Sequence, residues 1–381
     1  MRLALHLARR GYGITSPNPM VGALLVKRGR VIGRGWHRCA GGPHAEIEAL
    51  RDAARRGHDP CGATLYVTLE PCSTHGRTPP CTGAIISAGI ARVVVAATDS
   101  NPAHAGRGFR ILKRAGIEVV TGVLADEATQ LNESFNHWIV HCVPFVTVKA
   151  AMTLDGKIAT ASGESKWITG EAARAEGMKL RRGADAILVG VNTILADDPS
   201  LTLRGIQSSK FKVQSSKLRR IILDSRARTP LTAQVVSDVS AHLTTIVVTK
   251  AAPVRRVAAL AKRVNVWIAP TRKSELRSAD LPLGANRVDL RWLLKKLGGE
   301  NVTNLLVEGG GEVNAAFLLG GLAQRVAFFY APKILGGRDA RKAVSGRGAR
   351  NLKEALALRA PEWRRVGVDL MMTARVDDRV P

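Results

Sequence analysis

The feature that most limits the fold of this chain is a strict alternation of strand-like and helix-like segments, in two series. In the first 142 residues, "MVGALLV" and "RVIGRGW" are short β-type runs, separated by the turn-forming "KRGR". "HAEIEALRDAARRG" places Ala45, Ala49, Leu50 and Ala53 at helical spacing, and Gly57 stops it. "ATLYVTLEP" reads as a strand, "TGAIISAGI" as a short helix, "ARVVVAATD" as a buried strand, and "GFRILKRAGIEVVTGV" as a helix followed by a strand. The order β-β-α-β-α-β-α-β predicts a three-layer α-β-α domain.

A second series starts at "PFVTVKAAMTLDGKIAT" and runs through "DAILVGVNTI", "RRIILDS", "TTIVVTK" and "VNVWIAP" to "NLLVEGGGEVNAAFLLGGL", a strand, a glycine loop and a helix. "QRVAFFYAPKILGG" and "RRVGVDLMMTARV" read as late strands. A length of 381 residues exceeds one ordinary core, so the expected domains are 1–142 and 143–381. The stretch 205–217, polar and without apolar period, reads as a mobile surface loop.

Composition removes several classes. No apolar run is long enough to cross a bilayer, and the start, "MRLALHLARRGYG", lacks the apolar core and cleavage site of a secretory leader. Five cysteines (Cys39, Cys61, Cys72, Cys81, Cys142) are too few and too irregular for a disulfide framework, which points to a reducing cytoplasm. The net charge of +26 raises the question of nucleic acid. Residues 1–142 carry 17 basic and 10 acidic side chains, leaving +19 scattered over the remainder, and aromatics are only 4 %. That is a poor supply of base-stacking platforms. A solvated basic surface, with a few charges serving an anionic small molecule, is the better reading.

One twelve-residue stretch, "EPCSTHGRTPPC", carries the chemistry. Zinc deaminases usually show P-C-x-x-C, whereas here Cys72 and Cys81 stand nine positions apart. The intervening "STHGRTPP" can loop out from a strand end and return to a helix start, so both sulfurs can reach one metal. Cys81 at a helix N-terminus favours the thiolate. His44 in "PHAE" supplies an imidazole, and three ligands with one open position make a catalytic zinc site. Glu46, two residues on, fits the proton carrier that such hydrolysis needs. Cys39, Cys61 and Cys142 are expected to be buried small hydrophobes and His37 structural. His75 is the nearest spare fourth ligand of a purely structural zinc. In the second half the Gly-Gly-Gly turn has the wrong spacing for a Rossmann fingerprint, and alone it is a weak phosphate site.

These residues and their flanks resemble the bifunctional deaminase–reductase family of bacterial riboflavin biosynthesis. The resemblance rests on "TSPNPMVGA", "GGPHAEIEAL", "TLYVTLEPC", "GRTPPCTGAII" and "DSNPAHAGRG" in the first half. In the second it rests on "VKAAMTLDGKIAT", "SGESKWITG", "GVNTILADDPSLTLR" and "VEGGGEVNAAFL". It implies a cytidine-deaminase-like N-terminal domain and a dihydrofolate-reductase-like α/β C-terminal domain. The first would remove the amine of a phosphorylated diaminopyrimidinone ribosylamine using one Zn²⁺ per chain. The second would reduce the ribosyl chain to ribityl with NADPH.

Carried over by position, Asn18, Arg77, Asp99 and Asn101 contact the deaminase substrate. Ala151, Trp167, Thr193, Asp197, Ser225 and the loop Gly309, Gly310, Gly311, Glu312, Val313, Asn314 and Ala315 contact the cofactor. Ser165, Arg181, Leu201, Arg204 and Glu308 contact the reductase substrate, with Lys149 and Asp155 nearby. Arg181 and Arg204 could each give a forked contact to its phosphate. The family often has His where this chain has Thr74. The expected partner is a small phosphorylated pyrimidine, in a homo-oligomer, with neither membrane nor nucleic acid. A tRNA or nucleotide deaminase with an appended binding domain is the alternative, and salt-dependent RNA binding would mark it. A zinc-stabilised binding protein would have no use for Glu46.

Overall fold

The computed structural model describes residues 1–75, 79–203, 218–271 and 287–377. Arg77, Arg204 and the expected loop at 205–217 lie outside these residues. The chain divides into two compact units, Met1–Val143 and Pro144–Pro381. No helix among the described residues is long and apolar enough to cross a membrane.

In chain order the first unit comprises α1 (Arg2–Ala8), β1 (Gly22–Lys27), β2 (Arg30–Trp36), α2 (Ala45–Arg55), β3 (Thr64–Leu69) and α3 (Cys81–Ser87). It continues through β4 (Arg92–Ala97), α4 (Arg107–Arg114), β5 (Glu118–Val120), α5 (Ala125–Leu131) and α6 (Glu133–His141). The sheet order is β2-β1-β3-β4-β5, antiparallel at β1 and parallel from β3 to β5. Period-two alternation sorts the side chains. Leu25, Leu65, Val67, Val93 and Val95 pack on one face against Ala45, Ala49 and Ala53 of α2, Ile85 of α3 and Leu112 of α4. Leu24 packs on the other face with Ala4 and Leu7 of α1, while Ala96 meets Leu5 and Ala128. The three layers expected from the sequence are present.

Helix α1 was not expected. Its buried Ala4, Leu5, Leu7 and Ala8 form the i, i+3, i+4 stripe of a packed helix between exposed basic residues. The "KRGR" turn joins β1 to β2 through Arg28 and Gly29, both at positive φ, as a tight hairpin requires. Gly33 and Gly35 let α2 lie directly on β2. A Cβ at Gly35 would come within 2.1 Å of the Ala45 carbonyl oxygen, and one at Gly33 within 2.3 Å of that of Ala49. This close approach fixes the first turn of α2, which carries His44 and Glu46.

The second unit runs β6 (Phe145–Thr153), β7 (Lys157–Ala159), α7 (Glu171–Arg182), β8 (Ala186–Gly190), α8 (Val191–Asp197) and β9 (Arg219–Leu223). Next come α9 (Gln234–Ser237), β10 (Thr244–Thr249), α10 (Val254–Ala261), β11 (Asn265–Ala269), α11 (Leu290–Gly299), β12 (Asn304–Val307) and α12 (Gly311–Leu318). The last elements are β13 (Arg325–Ala331), β14 (Arg341–Lys342), β15 (Leu358–Val366) and β16 (Asp369–Val376). The described strands form a nine-stranded sheet ordered β11-β10-β9-β8-β12-β6-β13-β16-β15. It is parallel from β11 to β13 and antiparallel over the last three strands. Ala186, Ile187, Leu188 and Val189 are all inaccessible to solvent, so β8 is covered on both faces, as parallel strands are. Insertion of β12 between β8 and β6 aligns the strand ends at Glu308, Gly190 and Ser225.

Candidate active sites

In the first unit three side chains from separate elements converge. His44 is the N-cap of α2, Cys72 follows β3 and Pro71, and Cys81 is the first residue of α3. His44 Nδ1 lies 3.4 Å from Cys72 Sγ and 3.3 Å from Cys81 Sγ. All three ligand atoms fall within 4.8 Å of one another. A tetrahedral zinc, with Zn–N of about 2.1 Å and Zn–S of about 2.3 Å, separates N and S by roughly 3.6 Å. One imidazole and two sulfurs at these separations therefore fit zinc with a fourth position left over. The loop between the cysteines closes on itself, since Cys81 N–H donates to Cys72 Sγ at 3.2 Å and Thr82 N–H to the Cys72 carbonyl oxygen.

The electrostatics prepare the site for a cation. The Cys72 thiol is pulled down to about 4, first by a hydrogen bond from the Cys81 thiol and then by His44 and the Cys81 N–H. Cys81 is pushed up, because it is the donor in that bond and is buried. Glu46, 3 % exposed, sits in the first turn of α2; burial raises its carboxyl to about 7, with the Cys72 charge adding to the effect.

His37 does more than fill space. Its Nδ1–H faces the Pro43 carbonyl oxygen at 3.0 Å, which leaves Nε2 to accept from Asn18 Nδ2 at 3.0 Å. This fixes the Asn18 amide nitrogen against His37. Burial holds the His37 pKa below its ordinary value, consistent with a neutral ring. Asn132 pins the Asn18 loop by accepting from Met20 N–H and donating to the Met20 carbonyl. The sequence signal for His37, a histidine just ahead of "PHAE", is visible only once Asn18 is known to lie beside it. Asp99 shares a small cavity of about 40 Å³ with Cys72, Ser73, Thr74, Glu70 and His104. Its carboxyl is raised, chiefly by burial. Asn101 lies two residues on, its N–H bonded to Asp99.

Cys39, Cys61 and Cys142 are exposed rather than buried. Cys61 sits in a turn where its N–H bonds Asp59 Oδ1, and Cys142 is the left-handed C-cap of α6. Turn positions keep a side chain at the surface whatever its hydrophobicity. His75 is exposed and is not part of the converging group.

In the second unit a cavity of about 1780 Å³ opens at the carboxyl ends of the parallel strands. It brings together Ser165, Thr193, Asp197, Ser225, Gly310, Gly311, Glu312 and Val313 of the expected residues. Gly310 is the N-cap of α12. A Cβ at Gly309 would meet Val313 at 2.5 Å, and one at Gly311 would meet Ser345 Oγ at 2.2 Å, whereas one at Gly310 meets nothing. Two glycines thus serve packing and the third leaves the helix N-terminus open, a cradle that fits a dinucleotide pyrophosphate. Asn314, Ala315 and Leu201 point into the core, with Asn314 Nδ2 bonded to the Ala343 carbonyl oxygen. Any contact from Asn314 or Ala315 to a cofactor is therefore through backbone. Trp167 is 62 % exposed, under the guanidinium of Arg174. Ala151 lies on β6, opposite Phe329 of β13.

The expected free fork of Arg181 is taken up inside the protein. Its Nε and Nη2 donate to the two Glu308 oxygens at 2.8 and 2.9 Å, and Nη1 reaches the Thr202 carbonyl oxygen at 3.2 Å. Lys149 Nζ lies 3.7 Å from the same carboxylate. Strand register explains the meeting, since Val307 pairs with Val148 and sets Glu308 beside Lys149. Burial alone would raise the Glu308 carboxyl, but the Lys149 and Arg181 charges outweigh it and hold the group at about 2. Asp155 is clamped nearby by Thr153 Oγ1–H and by Leu335 and Gly336 N–H.

Comparison with known proteins agrees with this two-site arrangement. The cytidine and deoxycytidylate deaminase zinc-binding region matches residues 1–97, and the RibD C-terminal domain matches 144–372. The chain is 44 % identical to the riboflavin biosynthesis protein RibD of Aquifex aeolicus, over 98 % of this chain and 96 % of that one. It is 41 % identical to RibD of Actinobacillus pleuropneumoniae, over 98 % and 93 %. Among solved structures, Acinetobacter baumannii RibD superposes with a TM-score of 0.84 at 35 % identity, covering 99 % of this chain and 97 % of that one. The Thermotoga maritima diaminohydroxyphosphoribosylaminopyrimidine deaminase/5-amino-6-(5-phosphoribosylamino)uracil reductase gives a TM-score of 0.80 at 33 % identity, with the same coverage. A chain with a cysteine–histidine cluster beside a buried glutamate in one unit, and an open glycine-capped cavity in the other, thus belongs to the RibD family, the bifunctional deaminases and reductases of riboflavin biosynthesis.

Proposed function

We propose that His44, Cys72 and Cys81 hold one zinc ion and that Glu46 carries the proton in hydrolytic removal of an aromatic amine from a phosphorylated ribosylaminopyrimidine. The observation that carries this reading is the convergence of three donor atoms beside a buried, high-pKa carboxyl. Zinc bound there acidifies water, so that a nucleophile exists at neutral pH. Glu46 takes a proton and hands it to the departing amine nitrogen. Its raised pKa suits both halves of that exchange. Asn18, its amide nitrogen held by His37, and Asp99, Asn101 and Arg77 hold the pyrimidine.

The second unit then reduces the ribosyl group to ribityl with NADPH. The pyrophosphate rests on the Gly309–Ala315 loop, and Ala151, Trp167, Thr193, Asp197 and Ser225 line its path. Ser165, Arg204, Arg181 and Glu308 belong to the substrate end, with Leu201 offering only its backbone there, and Arg181 acts as a fixed partner of Glu308. Zinc analysis and a coupled assay on one purified sample test the whole reading. About one zinc per chain is expected, with ammonia release preceding NADPH oxidation. Equal NADPH oxidation with the un-deaminated compound would overturn the order of steps.

The enzyme acts as a cytoplasmic homo-oligomer in this reading. Supporting self-association, edge strand β15 is exposed on both faces up to Val366, Trp363 (59 % exposed) packs tilted against Tyr330, and Leu370 (44 %) is exposed on the neighbouring strand β16. Light scattering of the full chain is expected to give a multiple of 40.8 kDa that falls to the monomer in Trp363→Glu. A wild-type chain that remains a monomer at micromolar concentration would exclude it.

A further inference from the structure

We infer that Glu70 is a positioning residue for the deaminase substrate, setting the loop from Asp99 to Gly108 against the metal-binding loop. The inference rests on the reading of Asp99 and Asn101 as substrate contacts. Glu70 directly follows β3, just before Pro71 and Cys72, and is only 6 % exposed. Its carboxylate accepts three backbone N–H groups from that one loop. Oε2 receives Asp99 at 3.3 Å and Gly106 at 2.9 Å, and Oε1 receives Gly108 at 2.8 Å. The loop's own side chains turn inward in the same way. Asp99 Oδ1 takes the Asn101 N–H and Asn101 Oδ1 takes the Ala103 N–H, so among the described residues these loop bonds leave Asp99 Oδ2 and the Asn101 amide nitrogen unused.

The carboxylate also stands in for a side-chain cap on α4, whose N-cap is Gly106. The approach is close, since a Cβ at Gly108 would lie 2.3 Å from the Pro71 carbonyl oxygen and 3.1 Å from Glu70 Oε1. One rigid joint thus connects the segment holding Cys72 to the segment holding Asp99. Only an acceptor with two free oxygens satisfies all three donors; an amide would set its NH₂ against at least one N–H.

The test is steady-state deamination by the zinc-loaded full chain carrying Glu70→Gln, Gly108→Ala or Asp99→Ala. Both Glu70→Gln and Gly108→Ala are expected to raise KM at least tenfold, with kcat within threefold, zinc content unchanged and reduction of the deaminated substrate unchanged. A positioning role requires that split, whereas loss of a helix cap alone would lower the melting temperature and leave KM in place. Unchanged KM in Glu70→Gln, or in Gly108→Ala if the first does not fold, overturns the inference when Asp99→Ala does raise KM. If Asp99→Ala leaves KM unchanged, the reading of Asp99 as a substrate contact is what fails.

Discussion

Glu46→Gln is expected to reduce ammonia release by about 10²–10⁴-fold while zinc content stays at the wild-type level. The two outcomes separate because Glu46 is not one of the three converging donors. Gln keeps the volume of a side chain that is 3 % exposed, so the first turn of α2 and the His44 position stay in place. What is lost is a group that can take a proton near neutrality, which burial gives Glu46 by raising it to about 7. Oxidation of NADPH with already deaminated substrate should be untouched, because the second unit has its own core and cavity. Metal analysis with an ammonia assay decides the matter. Ammonia release within tenfold of wild type would mean that another group carries the proton.

How much of this was legible before the structure depends on sequence distance. The convergence of His44, Cys72 and Cys81 was legible because each residue announces itself locally, His44 and Cys81 at helix starts and Cys72 after a strand and a proline. The three-layer arrangement followed from strand alternation. Helix α1 is hard to see in the sequence because the basic residues around it mask the buried stripe of Ala4, Leu5, Leu7 and Ala8. Cys39, Cys61 and Cys142 are exposed because thiol hydrophobicity says nothing about backbone geometry, and turns hold the first two, and the C-cap of α6 the third, at the surface. The setting of Arg181 was not legible for a different reason. Its partner Glu308 lies 127 positions away, and only the insertion of β12 beside β6 makes that carboxylate the neighbour of both Arg181 and Lys149. Glu70 and His37 share this property, since their roles exist only across elements.

The Lys149–Glu308–Arg181 cluster gives the second large effect. The side chains are 18 %, 11 % and 14 % exposed, so two cations share one largely buried anion. Removing one member of such a cluster is worse than never having built it, because the remaining charges stay desolvated and now repel. Glu308→Gln is therefore expected to cost about 3–5 kcal/mol, a fall in Tm on the order of 6–20 °C for the second unit. It should abolish reduction and spare ammonia release.

The effect should also depend on pH, with a definite sign. Glu308 sits at about 2 in the folded protein against an ordinary 4.5. The folded state thus favours the carboxylate, and that stability, about 3 kcal/mol, is fully present above pH ~4.5 and lost as pH falls towards ~2. Scanning calorimetry at pH 7 and pH 3 should show the wild type and Glu308→Gln far apart at the first and closer at the second. Adding Lys149→Met to Glu308→Gln removes one of the two stranded cations and should recover part of the lost Tm. A gap between wild type and variant that is constant with pH, or a double variant no more stable than Glu308→Gln, would show that packing around Glu308, and not its charge, holds this end of the sheet together.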